Sequence, residues 1–121
     1  MRIRLKQITP DDERTTAQLE PGEIVEHAVE LDIDGRLCTF TVFLRANVLA
    51  DLDASVVYGD ELLEELLRFE PAGLGRLYRV VAKRRRGDLL DLPLVLVEAE
   101  PEGEERIRPR LEQLVIGPQA L

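Results

Sequence analysis

The sequence predicts an α+β fold: a mostly antiparallel sheet built around a β-hairpin over residues 23–45, with one or two helices, about 60–69 and 74–86, packed on one face. Three observations carry this expectation. In EIVEHAVELDIDGRLCTFTVFLR, two alternating apolar runs flank Asp34-Gly35, a pair suited to the positive φ angles of a tight hairpin turn. Further along, ELLEELLRF repeats leucine at helical spacing, and LLDLPLVLV holds a continuous apolar run of strand length. Strands first and helices later, with a closing strand, is the element order of an α+β domain.

The chain begins with Met1 to Ile8, where Ile3 and Leu5 alternate with Arg2, Arg4 and Lys6, a period of two that predicts a short half-buried strand. Thr9 to Gly22 is polar, contains Pro10, Pro21 and a charged DDER, and shows neither periodicity; residues 9–22 are expected to be a mobile connection. The hairpin follows. With Asp34 and Gly35 as the central turn residues, Ile33 pairs with Arg36, Leu31 with Cys38, Val29 with Phe40, His27 with Val42 and Val25 with Leu44. These ten residues share one face, apolar except for His27 and Arg36. Glu26, Glu30, Asp32, Thr39, Thr41 and Arg45 lie on the other, with Ile24, Ala28, Leu37 and Phe43 among them. A slip of one residue would mix the faces, so the pattern sets the register.

Ala46 to Tyr58 reads as a loop with room for a short helix, because Asp51, Asp53 and Ser55 supply turn chemistry around Val48, Leu49 and Leu52. Asp60 is a good N-cap for the helix that follows; Leu62, Leu63, Leu66 and Leu67 form its apolar stripe, and Pro71 requires it to end by Glu70. AGLGRLYRVVAKRRRGD supports two readings. As a helix, Leu74, Leu77, Tyr78 and Val81 follow the i, i+3, i+4, i+7 rule and Gly87 caps the end; as a strand, Tyr78, Val80 and Ala82 alternate with Arg79 and Lys83. The helix is preferred on its match at four positions and its cap. Leu94 to Val97, preceded by Pro93, predicts a strand buried on both faces and therefore inside the sheet. Residues 98–105 form an acidic Pro/Gly loop, expected to be mobile, and Arg106 to Ile116 supplies a closing strand or short helix.

At 121 residues and 45% hydrophobic content, the chain is expected to form a single domain over 1–121. Only 4% of residues are aromatic and none is Trp, which argues against a stacking platform for single-stranded nucleic acid. A net charge of -8 disfavours long-range attraction to nucleic acid or anionic lipid. One cysteine excludes an internal disulfide, no leader is apparent at the N-terminus, and the apolar runs fall far short of a bilayer span. A cytoplasmic location and no membrane association are expected. Lys6 and Lys83 are the only lysines among 16 basic residues, and Asn47 is the only Asn; few thermolabile residues and many charges suit a thermophile, and a GC-rich genome explains the arginines equally.

No catalytic, metal or nucleotide motif stands in the chain. His27 and Cys38 share a hairpin face, yet the register sets them four residues apart, roughly 13 Å along the strands, too far for a thiol-imidazole pair. Asp51 and Asp53 are weak candidates for a metal, since their spacing matches no defined loop and turn chemistry explains them. Glu98, Glu100, Glu102, Glu104 and Glu105 read as a solvated loop rather than an acid-base pair. Gly73 and Gly75 in PAGLGR lack the third Gly or the Gly-Lys-Ser/Thr of a phosphate loop. Candidate binding residues are Arg76, Arg79, Lys83 and Arg86, one basic stripe opposite the apolar face of the helix, together with His27. The bland reading of the stripe is a solvated helix face beside the chain's own acids.

The functional expectation is a small acidic, non-catalytic protein-interaction or binding module without a cofactor. It acts as a homodimer, because the strand from Leu94 to Val97, expected to be apolar on both sides, together with Ile24, Leu37 and Phe43 on the outer hairpin face, exceeds what one helix layer covers. A nucleic-acid-associated protein using the basic stripe is the alternative, and a small-molecule or metal-dependent enzyme the third reading.

Overall fold

A computed structural model describes residues 1–46 and 55–98. Within them lies a five-stranded sheet of order β4-β3-β2-β1-β5, formed by β1 (Arg2–Pro10), β2 (Ile24–Ile33), β3 (Arg36–Arg45), β4 (Val56–Gly59) and β5 (Leu94–Glu98). Each pairing is antiparallel, and helices α1 (Glu61–Leu66) and α2 (Pro71–Arg86) sit between β4 and β5 in the chain. The fold is α+β, with the helices against the sheet's apolar face.

The hairpin has the register that its alternation requires, from Ile33 opposite Arg36 to Val25 opposite Leu44. Asp34 and Gly35 take φ values of 51° and 90°, both in the left-handed region that a two-residue turn of this hand needs. The turn is tied to the neighbouring strand, since the Arg2 amide donates to Asp34 Oδ1 at 2.8 Å and the Asp34 amide to the Arg2 carbonyl at 3.0 Å. Along β1 the period of two fails after Leu5, where Lys6 is inserted as a bulge between Leu5 and Gln7. The bulge brings Ile8 back onto the face of Ile3 and Leu5, and all three are buried.

Residues 9–22 are more regular than a featureless connection. Thr9 and Pro10 complete β1, and Thr16–Gln18 form a 3-10 turn in which the Thr15 amide donates to Gln18 Oε1 at 2.7 Å. The loop expected over 46–58 ends instead in a strand. Val56 to Tyr58 are β-branched or aromatic residues that pair with Arg45, Leu44 and Phe43, and the Tyr58 ring stacks on Phe43 with centroids 5.2 Å apart.

Asp60 caps α1, accepting from the Leu63 amide through Oδ1 and from the Thr41 amide through Oδ2, each at 2.7 Å. The helical reading of the next segment holds. It starts at Pro71, a residue suited to a first helical position, and ends at Gly87 with φ 94°. Leu63, Leu66, Leu67, Leu77 and Val81 are fully buried against Ile3, Leu5, Val29, Leu31 and Val42, which together make the core.

The strand predicted to lie inside the sheet does not. Among the described residues β5 is an edge strand, pairing with β1 alone. Its unbroken apolar pattern has another cause: a register shift opposite Ile3 and Arg4 leaves the consecutive Leu96 and Val97 both buried, and α2 covers them. A Cβ on Gly73 would run into the Leu96 carbonyl, so the first turn of α2 lies directly on β5. Gly73 therefore serves helix-to-strand approach rather than a phosphate. Residues 99–105 of the acidic loop and the closing segment 106–116 fall outside the described residues.

Candidate functional site

Two features of the fold concentrate chemistry: a buried arginine at the end of α2, and the sheet face that the helices leave uncovered. Arg85 continues the inward stripe of Leu77 and Val81 at intervals of four, so of the three consecutive arginines 84–86 this one is turned into the protein. It is only 1% exposed, and its five N–H groups are all engaged. Nε donates to His27 Nε2 at 3.0 Å, and Nη1 to Asp12 Oδ1 and the Arg14 carbonyl, each at 2.9 Å. Nη2 donates to Asp11 Oδ1 at 2.7 Å and lies 3.4 Å from the Glu26 carbonyl. A guanidinium removed from water is tolerated when it is paired and bonded in this way.

His27, also 1% exposed, approaches the Val42 carbonyl with Nδ1 at 3.1 Å. A carbonyl only accepts and a guanidinium only donates, so the neighbours require a neutral ring with the proton on Nδ1. Burial is the main cause that lowers the His27 pKa, and the Arg85 charge adds to it. Asp12 is drawn down to about 2, chiefly by bonds from the Arg14 side chain and amide and further by Arg85. For Asp11 burial acts upward, but bonds from Arg85 and the Glu26 amide outweigh it and its pKa is lowered.

With both ring nitrogens and every guanidinium N–H committed, neither His27 nor Arg85 offers a free base or donor to a substrate. Cys38 stands opposite Leu31, as the register requires, and burial raises its thiol pKa, which disfavours the thiolate.

The basic stripe on α2 is divided by the structure. Arg76 Nη2 donates to the Leu96 carbonyl at 2.6 Å, satisfying a backbone group of the edge strand, and Arg86 pairs with Asp88 at 3.1 Å. Arg79 and Lys83 are exposed and have no ion-pair partner among the described residues. Asp51 and Asp53 lie outside the described residues, within which no group of His, Cys, Asp or Glu has metal-ligand proximity. No helix among the described residues is long and apolar enough to cross a membrane.

The outer sheet face has no helix against it among the described residues. It carries Ile24, Leu37 and Val56 at 51, 60 and 61% exposure, with the stacked Phe43 and Tyr58 between the two ends. Arg4 bonds Asp32 across this face at 2.7 Å and holds its carboxyl below the usual range. At the centre a shallow groove of about 170 Å³ is lined by Gln7, Thr9, Ala28, Glu30 and Thr39.

Of the residues singled out from sequence, only His27 joins the buried cluster. Arg85 lies outside the candidate stripe of Arg76, Arg79, Lys83 and Arg86, and Asp11 and Asp12 belong to the DDER of the expected connection. The interval of four from Leu77 through Val81 was the available signal for Arg85. Comparison with protein-family models, with curated proteins and with solved structures finds no match to this chain.

Proposed function

We propose that this chain is a non-catalytic protein-interaction module acting as a homodimer, with a second copy of the chain lying against the outer face of its sheet. The observation that carries the reading is the half-exposed apolar set on the face opposite the helices, Ile24 and Val56 beside the Phe43–Tyr58 stack and Leu37 at the turn end of the hairpin. The face carries both signs of charge, with Arg45 near Glu26 and with Glu30 beside the central groove, so a two-fold partner can meet each sign with its opposite. Five strands at ~4.8 Å spacing and ten residues at ~3.4 Å give at most roughly 800 Å², the area that each partner of a stable complex contributes.

Ile24→Glu tests it, since the new carboxylate faces Arg45 across the strand pair and leaves the core untouched. In light scattering at micromolar concentration the wild-type chain should have twice the monomer mass, and the variant should shift to monomer with its far-ultraviolet circular dichroism unchanged. A wild-type monomer at that concentration ends the reading. Nucleic acid as the partner would rest on Arg79 and Lys83, the two unengaged cations of the stripe, in a chain of net charge -8.

A further inference from the structure

We propose that His27 and Arg85 form a proton-operated latch: a second proton on the imidazole expels the Arg85 guanidinium and frees segment 11–14 from the end of α2 while the sheet persists. The neutral ring has one lone pair, at Nε2, and Arg85 Nε–H occupies it at 3.0 Å. Nδ1–H is committed to the Val42 carbonyl, so an incoming proton has only Nε2 to bind. Once there, it sets donor against donor and cation against cation in a site closed to water.

Among the charged neighbours, Arg85 and Arg84 act against that proton, and the Asp11 carboxylate, which favours it, is already bonded to Arg85. From α2 the facing groups are Arg84 and Arg85; from the segment after β1 they are Asp11, Asp12 and Arg14, the last also paired with Glu23. Three cations thus stand against three carboxylates. β3 contributes only its Val42 carbonyl, and β2 the Glu26 carbonyl. The Arg85 bonds to Asp11 Oδ1, Asp12 Oδ1 and the Arg14 carbonyl are what tie this segment to the helix, and all three depend on the guanidinium staying where His27 helps to hold it.

The sign of the pH dependence follows from the protons bound. A histidine whose folded pKa is lowered from 6.5 is neutral in the fold and protonated in the unfolded chain below 6.5. Its contribution is therefore complete above pH 6.5 and is lost as pH falls from there through the folded value. Over that window the unfolding equilibrium constant rises up to about tenfold for each pH unit. Asp11 and Asp12, with ordinary values of 3.8 and lowered in the fold, begin to lose their contributions only below 3.8, so the loss through His27 begins first, at 6.5.

His27 is the sole histidine, so nuclear magnetic resonance of the full chain reads its ring without assignment ambiguity. Between pH 7.5 and 4.5, the Nδ1–H tautomer should persist to below 6.5. Protonation should then coincide with displacement of the amide signals of Asp11, Asp12 and Arg14 while those of β2 and β3 stay dispersed. Denaturant unfolding supplies the second arm: His27→Gln keeps an acceptor for Arg85 but cannot titrate, and its stability should change far less than wild type from pH 6.5 to 5. Three results would overturn the latch: protonation with those amides unmoved, protonation only on global unfolding, or an equal pH slope in the variant and wild type.

Discussion

Arg85 and Arg79 show how position decides what one residue type does. They lie on the same helix six residues apart, yet Arg85 is enclosed with every donor used and Arg79 stands in solvent. Arg85→Met removes the cation from a group of carboxylates, leaves His27 Nε2 without a donor and fills the space with apolar volume. It should cost about 3 kcal/mol, at the lower end for a broken buried pair because Asp11 and Asp12 retain about a third of their exposure to water. Arg79→Met should change stability by no more than about 0.5 kcal/mol. Guanidinium chloride unfolding of the two variants at pH 7.5 makes the comparison. Equal losses would mean that Arg85 acts only through its aliphatic stem.

Among the elements, α2 gathers the most connections. Its first turn lies on β5 at Gly73, Arg76 reaches the Leu96 carbonyl, and Tyr78 accepts from the Gly59 amide at 2.7 Å while donating to Glu64 at 2.9 Å. Gly73→Ala would add a methyl where backbone already touches backbone, and should destabilise by about 1–3 kcal/mol despite alanine's better helix propensity. Gly75→Ala, whose added carbon meets only the end of Arg79, should be neutral or stabilising. Thermal unfolding of the pair distinguishes steric approach from propensity. The elements legible in the sequence were those whose cause is local. Asp34-Gly35 specifies a turn, Asp60 a cap and Gly87 a terminus, and each does so through its own backbone or side chain. β4 was missed because what makes Val56 to Tyr58 a strand is Phe43 and Leu44, residues remote in sequence. β5 was placed inside the sheet because a bulge and a covering helix bury consecutive residues just as a central position would. The Arg85 cluster joins residues as far as 74 positions apart, a distance that no periodicity reports.

For the whole molecule, charge sets the acid limit of stability. Asp11, Asp12, Glu23 and Asp32 are all lowered in the fold, each with an arginine among the causes. Carboxylates shifted down stabilise the fold above their ordinary values and lose that contribution as pH falls through the folded ones. The denaturant midpoint should therefore drop steeply from pH 4.5 toward 2.5, beyond the shallower decline that His27 causes between 6.5 and 5. A flat acid limb in His27→Gln would contradict this. The strand order has a consequence for how the chain is made. β1, β2 and β3 form a meander of strands consecutive in the chain, but β1 receives its second neighbour only from residues 94–98. During synthesis the nascent meander thus carries an open backbone edge beside Ile3 and Leu5 until β5 follows, about fifty residues after the end of β3, an exposure of the kind that invites strand pairing between neighbouring chains. The late arrival of β5, and of α2 across it, ends that interval.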